Sequence, residues 1–319
     1  MNTVLEKLRI NGIVPVVVIE SEAHALPLAK ALTAGGLTTM EITFRTKAAS
    51  NAMALISKGL PGMMMGAGTV LTVDQVKAAI DSGAQYIVSP GLNRKVVEHC
   101  VSHAIPVTPG VATPTEIEAA LDLGLSTVKF FPAEANGGLD YLKAISAPYK
   151  NVRFIPTGGI DESNLLMYLK FPPVLACGGS WMVRADLIAG EEFDEIARLA
   201  ASAVGTMLGF QLMHVGINNA DAEEAGREAQ ALARLLRLGA TEGSSSVFVG
   251  SQFEFLKRQY LGTHGHLAIG THFIERAIAH LAGHGYAIRE ETKGEKDGRL
   301  SSVYLEKEIG GFAIHLLQI

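Results

Sequence analysis

Two cysteines in 319 residues, Cys100 and Cys177, are too few for a disulfide framework, and their spacing fits no metal-binding pair. That usage suits a reducing compartment, and the expected location is the cytoplasm. Charge is also scarce. Asp, Glu, Lys and Arg make up 18% of the chain and the net charge is −5, so there is no basic footprint for nucleic acid. No uninterrupted apolar run is long enough to span a bilayer. The N-terminus lacks the basic region and apolar segment of a secretory leader, so no membrane partner is expected. What is abundant is apolar content, 48% of the chain, enough for one large domain or two ordinary ones.

Up to about Gly205, strand-like runs alternate with helical segments. The strand candidates are Ile13–Ile19, Thr38–Phe44, Met63–Thr69, Tyr86–Pro90, Pro106–Gly110, Thr127–Pro132, Arg153–Gly158 and Val174–Gly179. Thr72-x-x-Gln75 and Thr113-Pro-Thr-Glu116 read as helix-initiating capping boxes, the second with proline at the first helical position. Eight βα units predict a closed (β/α)8 TIM barrel. A doubly wound open sheet is the alternative, but no glycine-rich dinucleotide fingerprint follows the first strand.

Lys129 lies within an apolar strand. Alternation puts Thr127, Lys129 and Phe131 on one face and Val128 and Phe130 on the other. Burial disfavours an ammonium ion, so such a lysine is a candidate amine nucleophile for imine chemistry. A stem-buried lysine whose head escapes to water is the blander alternative. Other predicted strands carry matching polar groups, however. Glu41, Thr43 and Arg45 share a face and are expected to turn inward, where Glu41 can act as acid/base and Arg45 with Thr69 can hold a carboxylate. Gly158–Gly159 and Gly178–Gly179–Ser180 follow strands seven and eight, where barrels often bind phosphate through backbone N–H groups and a following helix start. The barrel's own histidines, His24, His99 and His103, fall in helical stretches or their ends, which argues against a metal-dependent reaction there.

Met40-Glu-Ile-Thr-Phe-Arg-Thr46, Gly66-Ala-Gly-Thr-Val-Leu71, Ser89-Pro-Gly91, Val128-Lys-Phe-Phe-Pro-Ala-Glu-Ala-Asn136, Pro156-Thr-Gly-Gly-Ile160 and Gly178-Gly-Ser-Trp181 follow one another in register. Together they resemble the 2-keto-3-deoxy-6-phosphogluconate (KDPG) aldolases, a family that also handles 4-hydroxy-2-oxoglutarate (KHG). The resemblance covers residues 1 to 205. It implies a carbon–carbon lyase of the Entner–Doudoroff pathway that uses a lysine imine and no cofactor, acts on a phosphorylated 2-keto-3-deoxy sugar acid, and releases pyruvate. It implies Lys129 as nucleophile, Glu41 as acid/base, and Arg45 with Thr69 at the pyruvate carboxylate. Gly158, Gly159, Gly179 and Ser180 would lie at the phosphate, with Pro90, Phe131 and Thr157 lining the pocket. A homotrimer is implied as well. A non-catalytic sugar-acid binding or sensor protein that retains the barrel is the competing interpretation.

Residues 206–319 lose the βα rhythm and read as two copies of strand, helix, then strands. The first copy is Gln211–Asn218, the helix Ala220–Gly239, Ser246–Val249 and Phe253–Lys257. The second is His266–Thr271, the helix His272–Gly285, Ser302–Lys307 and Phe312–Gln318, with Arg289–Arg299 as an exposed loop. This resembles the vicinal oxygen chelate, or glyoxalase-like, family, an α+β domain of paired βαβββ modules around a divalent metal. The resemblance implies His214, Glu254, His266 and His315 as ligands, although a carboxylate is usual at the last place. Zinc, nickel, iron or manganese would suit such a set. The other reading is a degenerate module kept for packing or regulation, its strand histidines facing a solvated groove.

Overall fold

The structure is a computed structural model and describes residues 3–319. Two compact units divide between Met207 and Leu208. In the first, eight strands run in parallel: β1 Ile13–Val17, β2 Thr39–Thr43, β3 Met64–Gly68, β4 Tyr86–Ser89, β5 Val107–Val111, β6 Thr127–Phe130, β7 Arg153–Pro156 and β8 Cys177–Gly179. Strand β1 pairs with both β2 and β8. Single bridges Phe154–Val174 and Thr157–Gly178 close the ring between β7 and β8. The last strand is shorter than its sequence suggests. Before Cys177 its pairing is one bridge between Phe154 and Val174, in which Phe154 N–H donates to the Pro173 carbonyl and Leu175 N–H donates to the Phe154 carbonyl.

Among the described residues, ten α-helices accompany the strands: α1 Thr3–Asn11, α2 Ala25–Ala34, α3 Ala49–Gly59, α4 Val73–Asp81, α5 Arg94–Ser102, α6 Pro114–Asp122, α7 Gly138–Ser146, α8 Leu165–Leu169, α9 Ala185–Ala189 and α10 Phe193–Leu208. Both capping boxes form. The Thr72 and Thr113 hydroxyls accept from Gln75 N–H and Glu116 N–H, and the Gln75 and Glu116 side chains reach back to the cap backbone. The first helix precedes β1 and inserts Leu8, fully buried, into a cluster of Val14, Met64, Tyr86, Val88, Ile155 and Leu175. Removing a leucine side chain from water this completely contributes roughly 2 kcal/mol. Helix α10 runs through Gly205, and the left-handed Gly209 (φ 57°) follows it. A lone glycine lowers helix propensity by only about 1 kcal/mol, too little to stop an amphipathic helix whose Ile196, Ala200, Ala203 and Val204 are buried.

The second unit is one eight-stranded mixed sheet with two helices. Its elements are β9 Gln211–Asn218, α11 Ala222–Leu236, β10 Ala240–Glu242, β11 Ser246–Val249, β12 Phe253–Leu256, β13 Gly265–Thr271, α12 Ile274–Gly283, β14 Gly294–Lys296, β15 Arg299–Tyr304 and β16 Phe312–Gln318. The strand order β10-β11-β12-β9-β13-β16-β15-β14 reads as one βαβββ module followed by its mirror in pairing. Strands β9 and β13 meet antiparallel at the centre, and each pairs in parallel with the last strand of its own module. The Arg289–Arg299 run is not a plain loop. It holds a 3-10 turn at Glu290–Thr292 and the edge strand β14, because Gly298 (φ 69°) turns the chain back onto β15 as a hairpin. Helix α11 buries Ala225, Ala229 and Ala233 at four-residue spacing against Val247, Val249 and Phe255.

Candidate active site

Lys129 is the third residue of β6, level with Gly110 on β5 and Ile155 on β7. Glu41 is the middle residue of β2, level with Val16 and Gly66. Both side chains enter the barrel. Lys129 Nζ donates to Glu41 Oε1 at 3.1 Å and lies 3.4 Å from Oε2, and the two residues are only 6% and 4% exposed. Residues 88 apart in sequence thus form one buried ion pair. Leaving either charge alone in such a place would be costly, so each holds the other there. Phe131 sits just past the end of β6, its ring centroid 5.4 Å from the amine, and walls that side with apolar surface.

Arg45 does not turn into the interior with Glu41 and Thr43. Strand β2 ends at Thr43, and Arg45 lies exposed beyond it. Its Nε donates to Thr69 Oγ1 at 3.1 Å. Thr43 itself is committed to the frame, donating to the Val17 carbonyl at 2.9 Å. Thr69 has φ 56°, a left-handed conformation that a β-branched residue rarely adopts. The cost is of order 1–3 kcal/mol, and it aims the hydroxyl at the arginine.

Of the segments expected at a phosphate, Gly158 and Gly159 follow β7, whereas Gly178 and Gly179 are the last two residues of β8 and only Ser180 lies beyond it. Gly158 (φ 96°) and Gly159 (φ 83°) are both left-handed. A Cβ on Gly158 would approach Phe131 and Pro132 to 3.3 Å, so this turn packs on the segment carrying Phe131. Thr157 is buried, and a Cβ on Gly178 would lie 2.4 Å from its hydroxyl. Gly179 backs onto the Trp181 ring, Ser180 is exposed, and the Pro90 carbonyl packs against the bare Cα of Gly110. The expected help from helix dipoles is missing. Helix α8 starts only at Leu165 and spans a single turn, and α9 starts at Ala185. The polar groups this region offers are backbone N–H groups and the exposed Ser180 hydroxyl.

Two features escaped the sequence reading. Tyr86 lies fully inside the barrel on β4, its ring over Gly66, and burial followed by the nearby Glu41 carboxylate pushes its phenol up. Tyr168 OH donates to Glu134 Oε1 at 2.5 Å, and Glu134 N–H donates to the Gly158 carbonyl, which ties the loop after β6 to the loop after β7. A Tyr and a Glu 34 residues apart leave no local pattern.

In the second unit, β9, β12 and β13 bring three of the expected ligands together. His214 Nε2 and His266 Nε2 are 3.1 Å apart, and Glu254 Oε2 is 3.3 Å from each. His315, on β16, completes a cluster in which ligand atoms of all three histidines lie within 4.8 Å of one another. Ser246 donates to the other Glu254 oxygen at 2.7 Å. Burial pushes the Glu254 carboxyl up, but hydrogen bonds with His214, His266 and Ser246 outweigh it and hold the group well below the usual range. Burial first, then His266 and His214, push the His315 imidazole down to about 4. The Tyr304 ring stacks on His315 with centroids 4.0 Å apart and planes at 3°. Ser246 and Tyr304 were not expected here, because cross-strand neighbours carry no signal in sequence distance.

Fold and site define the first unit as a (β/α)8 barrel with a buried lysine–glutamate pair and an arginine–threonine pair beyond its strand ends. Residues 4–199 match the family model described as KDPG and KHG aldolase, and the chain belongs to that family. It is 50% identical over 200 residues to the 2-dehydro-3-deoxy-phosphogluconate aldolase of Treponema pallidum, covering 63% of this chain and 95% of that protein. It is 45% identical over 192 residues to the KHG/KDPG aldolase of Escherichia coli K12, covering 60% and 90%. Among solved structures it resembles KDPG aldolase of Legionella pneumophila with pyruvate captured as a covalent carbinolamine, at 38% identity and TM-score 0.61, covering 62% of this chain and 97% of that one. It also resembles the KDPG aldolase of Zymomonas mobilis with 3-phosphoglycerate, at 41% identity and TM-score 0.59, covering 64% and 95%.

Proposed function

We propose that the barrel is a class I lyase that cleaves KDPG to pyruvate and glyceraldehyde 3-phosphate through an imine on Lys129, and that it also cleaves KHG to pyruvate and glyoxylate. The observation that carries this reading is the buried Lys129–Glu41 pair at 3.1 Å. Glu41 takes the proton that the ammonium must shed. The free amine adds to the C2 ketone, and Glu41 returns a proton to the carbinolamine hydroxyl, which leaves as water. The protonated imine then draws the electrons of the C3–C4 bond as the C4 hydroxyl gives its proton to Glu41, and the aldehyde departs. Protonation of the enamine at C3 and hydrolysis by water release pyruvate and restore the amine. No metal enters this sequence. The carbinolamine named for the Legionella relative supports it.

Arg45 with Thr69 is assigned to the substrate carboxylate, and Gly158, Gly159, Gly179 and Ser180 to the phosphate, with Pro90, Phe131 and Thr157 lining the pocket between. Replacing Arg45→Ala should raise KM for KDPG by about ten- to a hundred-fold, the worth of one charge-assisted contact, with a smaller effect on kcat. Arg45→Lys should recover little, since an ammonium lacks the guanidinium's planar fork. Steady-state kinetics of the two variants decide this. The reading as a whole is tested by incubating the protein with pyruvate and borohydride and mapping the peptide. A stable adduct on Lys129 is expected, and its absence would favour a non-catalytic binding role. We further propose residues 1–205 as the catalytic domain, a homotrimeric assembly testable by light scattering, and work in the cytoplasm, to which two buried free cysteines are suited.

For residues 206–319 we propose a vicinal-oxygen-chelate-like domain in which His214, Glu254, His266 and His315 hold a divalent transition metal. The donor set fits. Two imidazoles, His214 and His266, converge with the Glu254 carboxylate, and the three histidines' ligand atoms lie within 4.8 Å of one another, with a buried His315 Nδ1 that has no hydrogen-bond partner among the described residues. The 3.1–3.3 Å spacing of His214, His266 and Glu254 atoms is what ligands about 2.0–2.2 Å from one ion adopt. Bound there, the metal would supply Lewis acidity. Elemental analysis should find close to one equivalent of metal in the full chain and none in His214→Ala, while the barrel's cleavage rate stays unchanged.

A further inference from the structure

The two inward-facing glycines of β3 do different things. A Cβ on Gly66 would lie 2.2 Å from the Tyr86 ring. A Cβ on Gly68 would lie 2.2 Å from Glu41 Oε1, 2.7 Å from its Cγ and 2.8 Å from its Cδ. Glu41 is level with Gly66, so its side chain leans two residues along the barrel and rests over Gly68. Turning only the carboxylate would not relieve the overlap, because Cγ and Cδ are also too close. Nor can the side chain fold down toward Gly66, because the buried Tyr86 ring fills that space.

We propose that Gly68 is a positioning residue: its missing side chain is the space that holds the Glu41 carboxylate against Lys129. This deepens the aldolase reading and rests on it for its effect on rate, while the packing claim stands apart. Any side chain at 68 would push the carboxylate off the amine, and a 1 Å misplacement of a catalytic group costs about 10²-fold in rate. Shortening the acid by one methylene should make room again.

The test is a double-mutant cycle in the full chain: Gly68→Ala, Glu41→Asp and the double variant, with Gly62→Ala as an open-space control. KDPG cleavage, its pH profile and the thermal midpoint are measured for each. Gly68→Ala should lose about 10²-fold in kcat. It should still be captured slowly by pyruvate and borohydride at Lys129, and its pH profile should shift because the acid/base has moved. Gly62→Ala should match wild type. The double variant should exceed Gly68→Ala by about ten-fold, against the further loss that independent effects would give. Gly68→Ala within about three-fold of wild type, or losses that simply multiply, would overturn the proposal. So would a Gly68→Ala protein that fails to fold and is not restored by Glu41→Asp. Wild-type protein that cleaves nothing would sink the aldolase reading instead. The thermal midpoints of the same cycle would then decide the packing claim, upheld if Glu41→Asp offsets the Gly68→Ala penalty and lost if it does not.

Discussion

Lys129→Ala should abolish cleavage of KDPG, with a loss on the order of 10⁵-fold or more, and should remove the pyruvate–borohydride adduct altogether. The size follows from the role. The amine forms the bond that lets electrons leave C3–C4, and no other lysine makes an ion pair inside the barrel among the described residues. The same change leaves Glu41, 4% exposed, without its partner. An orphaned buried charge costs about 3–5 kcal/mol unless it takes up a proton. The thermal midpoint of Lys129→Ala should therefore fall, and adding Glu41→Gln should recover part of it without restoring activity. That pattern separates lost chemistry from lost fold. A Lys129→Ala protein that kept full cleavage would refute the assignment outright.

Glu41→Gln should lower kcat by about 10²–10⁴-fold, the usual worth of a positioned acid/base. The amide keeps the shape and can still hydrogen-bond Lys129, but it cannot carry protons. Exchange of the pyruvate methyl protons with solvent deuterium isolates that step, because it needs imine and enamine but no aldehyde. Exchange should slow by a similar factor, while prolonged trapping still labels Lys129. Trapping lost together with exchange would mean that Glu41 chiefly holds the amine in place. Exchange at the wild-type rate would mean that another group moves the proton.

Much of the barrel is legible along the chain. Strand period, the two capping boxes and glycine punctuation are local properties, so the eight strands fall within a few residues of where alternation puts them. Lys129 stands out because a charged residue interrupts an apolar strand, and Glu41 because its strand has one polar and one apolar face. Arg45 lies exposed rather than turned inward, because β2 ends at Thr43 and strand alternation does not reach it. No helix starts directly at the glycines, since α8 begins at Leu165 and α9 at Ala185. In the second unit the repeat placed the ligand strands, but it did not reveal β10 and β14. Such three-residue edge strands are defined by their partners rather than by their own pattern.

Sequence alone determined which side chains share a strand face and which chemistry they could perform, because alternation along a strand depends only on neighbours in the chain. Tertiary structure alone decided who meets whom. The 3.1 Å approach of Lys129 to Glu41, the seat of Glu41 over Gly68 and the meeting of His214, His266 and Glu254 all depend on how strands far apart in sequence register against one another. That register is set by the packing of the whole sheet, which no single segment contains.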